Sequence, residues 1–249
     1  MKSYGKLCAQ YYDLDKPKPP ADALAFYLKQ AQLSNGRILE PMCGSGRFMI
    51  PLMQAGFKIV GVDSSPEMLA AFQKKTRSMG LTAKLHLQYL HEMEVPGRFA
   101  MIMIPSGSFG LITDLPEALA GLQKLHQALQ PGGRFILELD QWLEPSNDDP
   151  LTGESIISLP DGAQLKMTST GSFAPQEKVY HGINCYELII GGQVFEKEDE
   201  IFDLRYYQPQ EISRLLAESS FKVLDLHAAY DPCIPMAKST SFVIICTRD

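Results

Sequence analysis

Two short segments restrict the fold more than anything else in the chain. Arg37-Ile-Leu-Glu-Pro-Met-Cys-Gly-Ser-Gly-Arg47 carries an apolar strand pattern into an acid, Glu40, and then into a glycine turn, Gly44-Ser45-Gly46. Ile59-Val-Gly-Val-Asp-Ser-Ser-Pro-Glu-Met68 repeats strand then acid, with Asp63 standing 23 positions after Glu40. A helical pattern follows each acid. Strand, glycine turn, helix and strand make a βαβ unit, which pairs its strands in parallel through a right-handed crossover. The two carboxylates then stand at the carboxyl ends of neighbouring strands, where open parallel sheets bind ligands.

The same rhythm runs through the first 140 residues. Strands are expected at 37–40, 58–63, 84–88, 99–104 and 134–139, and helices at 21–33, 47–55, 66–78 and 114–129. Ser64 or Ser65 caps the third of these helices and Pro66 opens its first turn. Asp114 caps the fourth, and Pro131-Gly132-Gly133 stops it. Residues 13–20, with Pro17, Pro19 and Pro20, read as a turn. The fold class is therefore α/β, a doubly wound, mostly parallel sheet.

At Gln141 the rhythm breaks. Residues 144–150 are polar and turn-rich, and 156–159, 163–170, 179–190 and 194–206 read as strands with no helices between them. Gly191-Gly192 between two apolar runs is a two-residue hairpin signal. A helix at 210–218 and strands at 222–227 and 242–246 complete the chain. This divides it into a core at 1–140, an antiparallel β insertion at 141–207, and a segment at 208–249 that returns to the core sheet.

Composition narrows the partners. The formal net charge is −6, which argues against a polyanion, since nucleic-acid binders carry a basic footprint. The five cysteines are scattered with no CxxC pair, which fits a reducing compartment and neither a disulfide framework nor a zinc site. The first ten residues lack a signal-peptide core, and the longest apolar run, 100–104, is far too short to span a bilayer. A cytoplasmic protein with no membrane partner is expected, as a monomer or homodimer. The five histidines show no metal-ligand spacing, so no metal is expected.

Glu40 with Cys43-Gly-Ser-Gly46, and Asp63 closing the next strand, resemble motifs I and II of class I S-adenosylmethionine (AdoMet)-dependent methyltransferases. The resemblance runs from about residue 11 to 139 and is specific over 38–46 and 61–69. A nicotinamide fingerprint would need a third glycine where Met49 stands, and a P-loop would need Gly-Lys-Ser/Thr where Gly46-Arg47-Phe48 stands. The resemblance implies a seven-stranded Rossmann-like sheet, with the antiparallel insertion after its fifth strand, and S-adenosyl-L-methionine as cofactor. It implies that the backbone around Pro41, Met42 and Gly44 meets the amino-acid end of AdoMet, with Glu40 acting through a hydrogen bond or water and Gly46 also among the cofactor-binding residues. The family usually has glycine where this chain has Met42. Asp63, with Ser64 beside it, is implied as acceptor for the ribose hydroxyls; as a plain alternative it is a charge favoured at a helix N-terminus. Met68, Gln88, Tyr89 and Leu90 are implied around the adenine, and Ile104 leads to the methyl-facing loop.

The acceptor side is less specified. Tyr11 and Tyr12 stand before the first expected helix, where amino-sugar N-methyltransferases fold an N-terminal segment over the cofactor. Ser106 and Phe109 follow the fourth strand, in a sequence unlike the Asn/Asp-Pro-Pro-Tyr/Phe of nucleic-acid amine methyltransferases. Tyr180, His181, Tyr186, Arg205 and Tyr206 are candidate contacts from the insertion, which serves as a lid or as a dimer surface. The expected reaction is methyl transfer to nitrogen or oxygen of a small molecule. Alternatives are a non-catalytic AdoMet- or nucleoside-binding regulator, a methyltransferase acting on protein or RNA, and a nicotinamide dehydrogenase.

Overall fold

The computed structural model describes residues 4–141, 151–230, 233, 234, 236 and 239–249. The first half alternates helix and strand: α1 (Lys6–Asp15), α2 (Ala21–Gln32), β1 (Ile38–Pro41), α3 (Met49–Gln54), β2 (Ile59–Asp63), α4 (Pro66–Ser78), β3 (Lys84–Leu87), β4 (Phe99–Ile104), α5 (Leu115–Ala128) and β5 (Leu129–Asp140). Four consecutive strands follow: β6 (Leu151–Ser158), β7 (Gln164–Ala174), β8 (Val179–Ile190) and β9 (Gln193–Arg205). Then come α6 (Pro209–Glu218), β10 (Lys222–Ala228) and β11 (Ser241–Thr247).

Seven strands form one sheet in the order β10-β11-β5-β4-β1-β2-β3. The pairs from β3 across to β5 are parallel, and β11 and β10 add antiparallel strands at the far side. The sheet is covered on both faces. In β4, wholly buried, Ile102 and Ile104 pack toward α5 and α6, whereas Met101 and Met103 pack toward α2, α3 and α4. A strand covered on both sides cannot alternate polar with apolar, which is why it reads as a continuous run.

β6 to β9 form a separate antiparallel meander, with Gly191 and Gly192 both at positive φ in the β8–β9 hairpin, the geometry a tight primed turn requires. α1 lies on this small sheet: Leu7, Cys8 and Tyr11 pack against Leu165 and Tyr186.

Some boundaries differ from expectation. Residues 13–15 belong to the end of α1, a helix the proline-rich stretch after it obscured. Residues 47 and 48 lie in the turn before α3, and β5 begins at Leu129 rather than at 134. The expected turn at 144–150 lies outside the described residues. Among the described residues, no helix is long and apolar enough to cross a membrane.

Candidate active site

β1 and β2 run side by side, with Glu40 opposite Gly61 and Pro41 opposite Val62. Beyond their carboxyl ends lies a cavity of about 760 Å³, within the roughly 300–1,000 Å³ usual for small-molecule pockets. Glu40, Pro41, Met42, Gly44, Asp63, Ser64, Met68, Gln88, Tyr89 and Leu90 all line it, as do Tyr12 and Ser106.

The two acids differ in their surroundings. Glu40 is 2% exposed, and its Oε2 has no hydrogen-bond partner. Burial, and then the nearby Asp63 charge, push its carboxyl well above the usual carboxylate range. Asp63 is better served. Its Oδ2 accepts from the Gly44 amide at 2.7 Å and its Oδ1 from the Ser65 amide at 2.9 Å. Burial still raises its carboxyl, against the opposing pull of the Ser65, Gly44 and Ser64 amides. Each carboxylate oxygen has two acceptor sites, so both keep capacity toward the cavity.

The glycine turn is built from left-handed backbone: Met42 has φ +57°, Gly44 +51° and Gly46 +86°. Met42 holds without glycine a conformation that glycine adopts freely, a strained arrangement of the kind found at functional sites. Across the cavity, Ser106 (φ +56°) and Gly107 (φ +67°) make a second left-handed turn at the end of β4. The Ser106 amide donates to Glu138 Oε2 at 2.7 Å, an oxygen that also accepts from the Tyr27 hydroxyl at 3.3 Å.

The β3 exit forms a third wall. Gln88 is tied to its own loop, its side-chain oxygen accepting from the Glu94 amide at 3.1 Å, and Tyr89 is stacked on His91. Overhead lie Tyr4 from the segment before α1, and Ile201, Phe202 and Asp203 from β9.

Nine residues expected at the site, Tyr180 and Tyr186 of β8 among them, stand outside this cavity lining. A Cβ on Gly46 would sit 2.7 Å from the Phe72 ring, so that glycine serves packing of the turn onto α4. Ile104 and Phe109 are fully buried in the core, Phe109 against Tyr207. Tyr11 is buried against Tyr186. His181 is exposed, next to Asp203 and Glu177. Arg205 forms a 2.6 Å ion pair with Glu211 at the start of α6, and Tyr206 packs edge-on to Phe173. A polar side chain in an insertion reads as a contact candidate until its structural partner is visible.

Other lining residues had not been expected. Arg47 follows the glycine turn directly, a position that could have flagged it. Tyr4, Phe202, Asp203 and the stretch from Leu111 through Asp114 carry no local signal. Among the described residues, no group of three or more His, Cys, Asp or Glu could hold a metal ion.

Residues 38–133 match the methyltransferase domain family. A Geobacillus sp. (strain WCH70) protein named as a methyltransferase is 23% identical over 236 residues, covering 93% of this chain and 94% of its own length. A tRNA U34 carboxymethyltransferase of Shewanella sp. (strain W3-18-1) is 33% identical over 107 residues, 43% of this chain and 32% of its own length. Among solved structures, an amino pentose methyltransferase from Micromonospora echinaspora, solved with S-adenosylmethionine bound, superposes with a TM-score of 0.72 at 16% identity, covering 100% of this chain and 99% of its own.

Proposed function

Because this chain is an AdoMet-dependent methyltransferase of the class I fold, we propose that it methylates a nitrogen or oxygen atom of a small molecule. The observation that carries the acceptor class is the charge around the cavity. Glu67, Asp114, Glu117 and Asp203 join Asp63 along its lining, where, among the described residues, Arg47 is the one arginine or lysine. Such a wall repels polyanions and admits neutral or cationic acceptors, amines above all. An RNA acceptor, the second reading, draws on the tRNA-modifying relative but must enter against this charge.

The residues present fit AdoMet. Glu40, a buried carboxylate with an unpartnered oxygen, suits the cofactor's ammonium. Asp63, already oriented by two amides, keeps lone pairs for a ribose diol. Met68 and Leu90 offer apolar surface to a planar base. When bound, the cofactor supplies a methyl already activated on a sulfonium. What remains for the protein is to exclude water and to align acceptor with methyl, and orientation alone supplies much of the acceleration. In this reading Ser106 and the β9 residues Phe202 and Asp203 face the acceptor, the meander acts as a lid, and the chain divides at about residues 140 and 207.

Calorimetry with AdoMet, followed by turnover against panels of small amines, alcohols and RNA oligonucleotides, tests this. AdoMet should bind, and transfer should favour amines. Transfer to RNA with none to small acceptors would overturn the acceptor class.

A further inference from the structure

We infer that Glu200, on the accessory sheet, is a positioning residue for the cofactor pocket and acts through the backbone of Tyr4. The inference rests on reading the cavity as the AdoMet site. Four hydrogen bonds in series connect the two. The Tyr4 amide donates to Glu200 Oε1 at 2.7 Å, and the Tyr4 carbonyl accepts from Ser65 Oγ at 2.7 Å. The Ser65 amide donates to Asp63 Oδ1 at 2.9 Å, and Asp63 Oδ2 accepts from the Gly44 amide at 2.7 Å. The series runs from β9, across 196 positions of sequence, to the glycine turn.

Two features mark it as more than a packing contact. Glu200 is 1% exposed, yet its partners are a backbone amide, the Tyr186 hydroxyl (3.1 Å), the Asn184 amide (3.3 Å) and the Cys8 thiol (3.6 Å). Among the described residues none of its partners is a cation, and burying a carboxylate without one is costly for a sheet that only needs to fold. Tyr4, in turn, sits at φ +57° with a side chain on the cavity wall. A bulky residue stays in left-handed backbone only when its surroundings over-determine it, and here both its amide and its carbonyl are held.

The rest of the strap is pinned in the same way. Glu198, two residues along β9, accepts from the Leu7 and Cys8 amides at 3.0 Å each, capping α1. Gly5 leaves room for that carboxylate, which a Cβ would strike. At the other end of α1, Asp13 accepts from Ser45 Oγ in the glycine turn and from Lys75 of α4. Loss of Glu200 therefore releases Tyr4 and, through Ser65, the orientation of Asp63.

The test uses full-length protein with AdoMet and its demethylated product as probes. By calorimetry, Glu200→Ala should weaken both by about tenfold, the scale of one lost net hydrogen bond. Glu200→Gln, which keeps an acceptor for the Tyr4 amide, should recover most of that. Ser65→Ala cuts the same series, so the double variant should be no weaker than the worse single one. In cofactor-free protein, amide exchange at Ser65 should quicken in Glu200→Ala. Should Glu200→Ala fail to fold, removal of residues 1–4 severs the series at Tyr4 and should give the same loss. Wild-type affinity in folded Glu200→Ala or in the truncation, or additive losses in the double variant, would overturn the link. Wild-type protein that binds no AdoMet would instead remove the methyltransferase reading beneath it.

Discussion

The seven-stranded core and the four-stranded meander contribute to one cavity by opposite means. The core supplies Glu40, Gly44 and Asp63 from two short, contiguous segments, and parallel pairing of β1 with β2 brings them together. The meander supplies Ile201, Phe202 and Asp203 from an edge strand, and reaches the N-terminal strap through Glu198 and Glu200. Chemistry in the core is local in sequence, while chemistry in the meander is assembled over nearly the full length of the chain. The core half can be read as a motif. The meander half exists only as geometry.

The largest effect that tests this contrast belongs to Gly46. Its Cβ would meet the Phe72 ring at 2.7 Å and its φ is +86°, so Gly46→Val combines overpacking with left-handed strain. A loss of about 3 kcal/mol or more is expected, visible as a lowered Tm with or without cofactor. A variant that melts like wild type but no longer binds AdoMet would return Gly46 to the ligand.

Asp63→Ala comes next. Hydrogen bonds to a charged acceptor contribute about 1.5–3 kcal/mol each, and AdoMet affinity should fall by at least the lower figure in calorimetry. Unchanged affinity in a folded variant would leave the core without its motif logic.

Glu40 separates stability from binding. Its carboxyl is raised in the fold by burial and by Asp63, so the folded apo-protein holds a proton that the unfolded chain has released. Stability from this group is therefore greatest at low pH. It declines as pH rises from the unfolded value, about 4.3, through the folded one. Glu40→Gln removes that decline. Its Tm should exceed wild type at pH 8 in the absence of cofactor, while its AdoMet affinity falls. A lower Tm for Glu40→Gln at pH 8 would mean that the carboxylate has a partner in the apo-protein.

The smallest effect is expected in the meander, at His181. It is exposed and paired only with exposed or half-exposed acids, so His181→Ala should change stability by less than about 0.5 kcal/mol and leave turnover unchanged. A large loss of turnover would place an acceptor contact on β8, an inner strand of the meander.

How much was legible follows from where the information lies. Alternating strands and helices, the acid-closed strands and the diglycine hairpin are short-range patterns, and each reappears within a few residues of its expected place. The helix α1 escaped because Leu7, Cys8 and Tyr11 pack on a sheet made of residues 165 and beyond, a surface its own sequence does not announce. Arg205 and Tyr206 were attractive as polar groups in an insertion, but Glu211 and Phe173 occupy them. Tyr4 gives no signal at all. Its role depends on two hydrogen bonds whose partners lie 61 and 196 positions away.

The order of strands carries a consequence for how the molecule comes into being. β11 lies between β5 and β10, and its seven-residue register with β5 joins Ser241 to Asp140 and Thr247 to Arg134. During synthesis, the growing core therefore presents the open edge of β5 until residues 241–247 emerge from the ribosome. The meander pairs neighbours joined by short turns and can close well before that. Unpaired edges on partly made chains invite aggregation, and non-local pairings form slowly. The half whose sequence is easiest to recognise is thus the half that stays exposed longest.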